Sequence, residues 1–187
     1  MTNIFMEENV NKEPYIKQLT NDKVINLTGQ SGSGKSYYAN QNFDRDEYLV
    51  VDTDEIFSEI RFANSSGINR ELGEYYRKKF DELPDMGYKF DLIYKEILDY
   101  CKKYYKDKIV VIDCAQLYCI KNINNLKGKI IIMRTSVETC LERVINRYKE
   151  NWPNYTEEEL NKYIERKKKI YVWYKYLNQF IEKIDKL

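Results

Sequence analysis

The sequence predicts an α/β protein of three layers, a parallel sheet flanked by helices, with a small helical lid. Three observations carry that prediction. Short apolar runs at residues 24–28, 48–52, 108–113 and 129–133 alternate with longer polar or amphipathic stretches. Strands buried in a parallel sheet alternate with helices in this way. Two of the runs end on an acid, Asp52 and Asp113. The first run passes directly into Gly29-Gln30-Ser31-Gly32-Ser33-Gly34-Lys35-Ser36, and residues 37–40 can carry a helix on from there. That is the strand–loop–helix order of a phosphate-binding loop, Gly-x-x-x-x-Gly-Lys-Ser.

With 187 residues the chain suits one domain with a substantial core. We divide it into an extension, residues 1–22, and a single domain, residues 23–187. The extension is polar and weakly patterned, with a short helix expected after Pro14. Lys plus Arg total 31 and Asp plus Glu total 30, a net charge of +1, so no global field points to nucleic acid. No apolar run approaches the roughly 18 residues of a membrane-spanning helix, and the N-terminus lacks the basic and apolar regions of a signal peptide. The four cysteines, Cys101, Cys114, Cys119 and Cys140, lack Cys-x-x-Cys spacing and read as reduced, mostly buried thiols of a cytoplasmic protein. There is no histidine, which excludes His-based acid–base catalysis, Ser-His-Asp triads and His-ligated metals.

Taken in order, the first strand and its loop lead into a helix ending near Asn42. The second strand, residues 48–52, runs into Thr53-Asp54-Glu55, which puts acids at the carboxyl end of a parallel strand, where open α/β sheets bind ligands. Helices are expected from Asp54 towards Ala63 and from Ile68 to Leu83, with a stop at Pro84. Residues 88–105 form the clearest amphipathic helix, with Phe90, Ile93, Tyr94, Ile97, Leu98, Cys101, Tyr104 and Tyr105 on its apolar stripe. The third strand ends on Asp113, either a plain turn cap or a Mg²⁺-holding carboxylate downstream of the loop. The fourth leads through Ser136, an expected N-cap, into a helix carrying Arg143 and Arg147 four residues apart. Thr156 to Glu159 reads as a capping box opening the last helical segment, whose apolar side includes Leu160, Ile164, Tyr171, Tyr174, Leu177, Ile181 and Ile184.

The chemistry follows from residue types. Glycines let loop backbone N–H groups point inward at a polyanion, and the following helix adds its positive end. We expect Gly29, Ser31, Gly32, Ser33, Gly34, Lys35, Ser36 and Tyr37 to hold the nucleotide. Lys35 can reach the outer phosphates, and the Ser36 hydroxyl can reach Mg²⁺. Arg143 and Arg147 can grip phosphate oxygens as forks, or remain solvated beside Glu142 and Glu150. The run Arg166-Lys167-Lys168-Lys169 is either a solvated face or a cap closing over a triphosphate. Arg61 and Arg70 are candidates for gripping an anionic acceptor, against the reading of plain surface arginines.

This order of elements resembles the P-loop kinases of the nucleoside-monophosphate-kinase superfamily, with shikimate, gluconate and zeta-toxin-like kinases among them. The resemblance covers about residues 23–170 and implies a P-loop NTPase fold using ATP, or GTP, with Mg²⁺. Asp52-Thr53-Asp54 is similar to the Asp-x-Asp of the shikimate-kinase-like branch. The resemblance implies Asp52 near the metal with Ser36 and Asp113, and Asp54 against the acceptor hydroxyl. It implies Lys35, Arg143 and Arg147 as catalytic cations, an acceptor region at about 54–106 and a lid at about 147–169. The partner implied is a small-molecule phosphoryl acceptor: nucleoside, nucleotide, sugar or nucleotide-sugar. The Asp-Gly-Phe-Pro-Arg stretch of adenylate-kinase-like enzymes is replaced by Asp113-Cys114-Ala115-Gln116-Leu117, and the shikimate-kinase glycine triplet is absent there.

Two rival readings share the loop. A polynucleotide-end kinase would add a basic groove and steeply salt-dependent acceptor binding. A regulatory or hydrolytic NTPase would need no acceptor. Against it, Asp113 is not followed by x-x-Gly, and neither Asn-Lys-x-Asp nor Leu-Ser-Gly-Gly occurs.

Overall fold

The computed structural model describes residues 12–79, 86–171 and 174–187. Its five-stranded sheet contains β1 (Lys12–Gln18), β2 (Val24–Thr28), β3 (Tyr48–Asp52), β4 (Ile109–Asp113) and β5 (Lys129–Arg134) in the order β1-β5-β2-β4-β3. Strands β2 to β5 are parallel, and β1 is antiparallel to β5. The helices among the described residues are α1 (Lys35–Asn42), α2 (Thr53–Phe62), α3 (Gly67–Lys79), α4 (Met86–Tyr104), α5 (Val137–Asn151), α6 (Glu157–Tyr171) and α7 (Tyr174–Ile184).

Each central strand is apolar on both faces because both are covered. Val51, Val110, Ile112, Ile130 and Ile132 pack against residues of α2, α3, α4, α5 and α7. Ile25, Leu27, Val111 and Ile131 pack against Ala39 of α1 and Phe43 just beyond it. Period-two alternation along one strand thus feeds two separate cores, giving three layers. Strand β2 is central. The chain leaving it runs to β3 on one side, and the later crossover reaches β5 on the other. The carboxyl end of β2 therefore lies where connections diverge, the usual ligand crevice of an open α/β sheet.

The start of the chain differs from expectation. Residues 12–18 do not form a helix after Pro14; they are an edge strand in the same sheet as the segment expected to begin at residue 23. Proline is tolerated there because an edge strand has an unpaired side, and the register shifts between Lys12 and Tyr15. Helix α7 fastens this edge: Lys17 donates to the Ile184 carbonyl at 2.6 Å, and the Tyr15 hydroxyl donates to Asp185.

Most expected helices are present with small boundary changes. Tyr104 leaves the buried stripe of α4, being exposed and packed on the Tyr100 ring. The long C-terminal segment is two helices, with Leu177, Ile181 and Ile184 buried. The expected stop at Pro84, and the side chains of Lys169, Tyr171 and Tyr174, lie outside the described residues. All four cysteines are free; Cys101, Cys114 and Cys140 are buried. Burial pushes the Cys101 and Cys114 thiols up to about 12, so neither is a nucleophile near neutrality. Among the described residues, no helix is long and apolar enough to cross a membrane.

Candidate functional site

Two glycines make the turn between β2 and α1 possible. Gly32 has φ +83° and Gly34 φ +91°, a region L side chains rarely adopt. Gly32 is also confined: a Cβ there would lie 2.4 Å from the Cys140 carbonyl oxygen of α5. Helix α1 begins immediately afterwards, with Gly34 as N-cap, no side-chain cap and no acid in the first turn. The N–H groups of that turn have no intrahelical acceptor, so the helix offers donors and its positive end to an anion.

Helix α5 and the residue just before its N-cap brace the turn. The Thr135 hydroxyl donates to the Ser33 carbonyl at 2.8 Å, and Arg143 donates to the Gly32 carbonyl at 3.2 Å. Ser136 caps α5 as its position suggested, accepting from the Thr139 N–H at 3.2 Å. Arg143 thus supports the backbone of the turn as well as facing the cavity beside it.

The carboxylates meet because of strand register. Asp52 and Asp113 are direct partners at the ends of β3 and β4. The Thr53 hydroxyl donates to the Asp113 carbonyl at 3.2 Å and holds the two ends together. One Asp52 oxygen caps α2, accepting from the N–H groups of Asp54 at 2.8 Å and Glu55 at 3.2 Å. The Asp52 N–H donates to Asn69, which in turn donates to Glu55 at 2.7 Å. Asn69, buried in α3, was not foreseen; nothing in its local sequence marks it, since its partners lie on β3 and α2. Burial raises the Asp52 carboxyl, partly offset by the two capping bonds. Burial also pushes Asp113 up to about 6; Lys35 pulls against that shift, and the Asp52 and Asp54 charges add to it. The Lys35 amino group donates to the Gly29 carbonyl at 3.0 Å and lies 3.8 Å from Asp113.

These groups surround a cavity of about 590 Å³ at the carboxyl ends of the parallel strands. Ser31, Gly32, Gly34, Lys35, Ser36 and Tyr37 line one side. Asp52, Asp54, Asp113, Arg143 and Arg147 complete it, and Gln30 and Ala115 join without having been anticipated. Gly29 and Ser33 belong to the turn but are buried and do not line the cavity. An adjoining cavity of about 400 Å³ shares Ser36, Asp52 and Asp113 and is walled by Glu55 and residues 66–69. Arg61 and Arg70 line neither; Arg70 pairs with Glu74 at 3.0 Å on the surface.

The segment expected to form a lid is a helical hairpin of α5 and α6. Tyr148 of α5 stacks on Tyr163 of α6 with centroids 4.2 Å apart, and Trp152 stacks on the other partner of that pair, Tyr148, at 5.4 Å. The capping box is formed: the Thr156 N–H donates to Glu159 at 2.8 Å, and the Glu159 N–H donates to Thr156 at 3.2 Å. Of the basic run, Lys168 pairs outward with Glu165 at 2.9 Å, whereas Lys167 turns inward. Lys167 is half-buried, its amino group 5.4 Å from the Tyr163 ring centroid. Burial lowers its amino group, Arg166 and Arg147 add to that, and Asp54 opposes it. Helical phase could have separated the two: Leu160, Ile164 and Lys167 share one face.

Among the described residues no cluster of three or more His, Cys, Asp or Glu could hold a metal ion by itself. Two carboxylates and a serine hydroxyl, Asp52, Asp113 and Ser36, on the lining of one cavity nevertheless fit Mg²⁺, which takes one or two carboxylates and completes its shell with substrate oxygens and water.

In comparisons with known proteins, no protein-family model matches the chain and no curated protein matches its sequence.

Proposed function

We propose that this chain is a P-loop kinase, a phosphotransferase that moves the terminal phosphoryl group of ATP to a hydroxyl or phosphate of a small molecule. One observation carries the reading. A glycine turn in left-handed geometry opens an uncapped helix, and the same cavity gathers three cations and three carboxylates from four separate segments. Cations suit a polyphosphate, and carboxylates suit a metal ion and an acceptor proton.

In this reading the N–H groups of the turn and of α1 bind the phosphates, and Lys35 exchanges its Gly29 and Asp113 partners for phosphate oxygens. Asp52, Asp113 and Ser36 would hold Mg²⁺, which when bound supplies positive charge to the phosphate oxygens. Arg143, beside the glycine turn, and Arg147, which lines the same cavity, balance charge on the transferring group. The acceptor approaches from the adjoining cavity beside Asp52. Its oxygen forms the new bond to phosphorus as the bond to the departing nucleoside diphosphate breaks; where the acceptor is a hydroxyl, Asp54 takes its proton. The transition state is loose, so the proton leaves late and a carboxylate suffices as its acceptor.

The test is incubation with terminally labelled ATP, or GTP, and Mg²⁺ against nucleosides, nucleotides, sugars, nucleotide-sugars and RNA ends. Label appearing on one small-molecule class supports the reading. Phosphate release that ignores every acceptor overturns it in favour of a hydrolytic switch, and label on RNA ends alone would make the chain a polynucleotide-end kinase.

A further inference from the structure

At the opposite end of the sheet, a second cavity of about 510 Å³ opens between the starts of β2 and β4 and the C-terminal half of α4. Its floor is apolar, built from Val24, Leu98, Cys101, Val110 and the Tyr105 ring. The Tyr105 hydroxyl is already engaged, donating to Glu71 at 2.6 Å. Around this floor stand five lysines, Lys23, Lys102, Lys106, Lys108 and Lys127, against two aspartates, Asp22 and Asp99. Charges in the whole chain nearly cancel, so this is a local concentration of one sign.

The lysines are not consumed by the fold. Lys108 alone is tied down, donating to the Arg45 carbonyl at 3.2 Å and to that of Asp46. Of the aspartates, Asp99 pairs with Lys95, whereas Asp22 accepts from the Thr20 hydroxyl at 2.6 Å and keeps its charge, so the rim remains strongly cationic. Among the described residues, Lys23, Lys102, Lys106 and Lys127 have no carboxylate in ion-pairing range. Lysine in the last turn of α4 is explained by the helix dipole. That account does not reach Lys23, just before β2, or Lys127, just before β5. Three separate segments therefore bring unpaired cations to the rim of one apolar cavity.

We propose that this cavity binds a small amphipathic anion, an apolar aromatic or short acyl body carrying a single acidic head group. Ligand cavities of this size are mostly apolar with a few convergent polar groups. The body covers the floor and removes its apolar surface from water. The head group meets the lysine rim, where cations from three segments add their attractions, although Lys23, Lys102 and Lys106 are exposed. A purely hydrophilic anion would leave the floor uncovered, and a neutral body would leave the lysines unanswered.

The test titrates the full chain with anilinonaphthalene sulfonate, followed by fluorescence. Its neutral relative phenylnaphthylamine and inorganic phosphate serve as controls for body and charge alone. The sulfonate should bind at one site, the neutral relative about tenfold more weakly, and phosphate should not compete. Excess ATP with Mg²⁺ should leave the dye in place. Lys102→Glu combined with Lys127→Glu should weaken dye binding by about tenfold. Lys23→Gln combined with Lys106→Gln, at two exposed positions, gives the same direction if the first pair disturbs folding. No dye binding, equal binding of the neutral relative, indifference to both pairs of substitutions, or displacement by ATP would each overturn the proposal.

Discussion

The Lys35 amino group lies 3.8 Å from an Asp113 carboxylate oxygen, with 13% and 8% of the two side chains exposed. The cation does not fully offset burial, since the Asp113 carboxyl is pushed from an ordinary 3.8 up to about 6. Between those values the folded chain keeps a proton that the unfolded chain has lost. Stability contributed by this group therefore falls as pH rises through that window, and the full cost is present above it. Asp113→Asn removes the cost while keeping shape. It should raise unfolding free energy by about 1–3 kcal/mol at pH 7.5, with the gain vanishing below about pH 4. Urea unfolding at the two pH values checks this. A gain at low pH and none at neutral pH would contradict it.

Gly32 and Gly34 should differ in cost. Alanine at position 34 meets only the φ penalty, since its nearest neighbour, Arg143, would be 3.6 Å away. About 1–2 kcal/mol is expected. Alanine at position 32 adds an overlap with the Cys140 backbone. That carbonyl sits in a packed helix and cannot swing aside, so about 3 kcal/mol or more is expected. Denaturation midpoints of the two variants decide the ranking.

Asp54→Asn should lower kcat by about 100- to 10,000-fold once the acceptor is known, leaving KM for ATP unchanged. Full turnover in this variant would remove Asp54 from the role of base.

Arg143 and Arg147 share the cavity but not its scaffold, for only Arg143 bonds the glycine turn. Alanine at either position should lower kcat/KM by about 100-fold. Arg143→Ala should also lower Tm by about 2–4 °C, whereas Arg147→Ala should leave it unchanged. Equal melting of the two variants would refute the bracing role of Arg143.

Those parts of the molecule whose pattern is local were legible in the sequence. Strands β2 to β5 announce themselves because burial on both faces demands mostly apolar runs, broken in β2 only by the buried Asn26 and Thr28. Ser136 and the Thr156–Glu159 pair announce helix starts because caps act within one turn. Strand β1 was not legible. Its residues are mostly polar, and its pairing is imposed by β5, more than a hundred positions away. The inward Lys167 was legible only through helical phase, which puts it on the face of Leu160 and Ile164 although it stands in a run of like charges. Asn69 was hidden too, because its role exists only once α3 packs against the end of β3.

The most direct test of the account is calorimetric titration of the chain and of Lys35→Ala with ATP and Mg²⁺. The account predicts binding in the range of about 1 μM to 1 mM, weakened by about 100-fold or more when the Lys35 cation is removed. Absence of binding, or binding indifferent to Lys35, would contradict it.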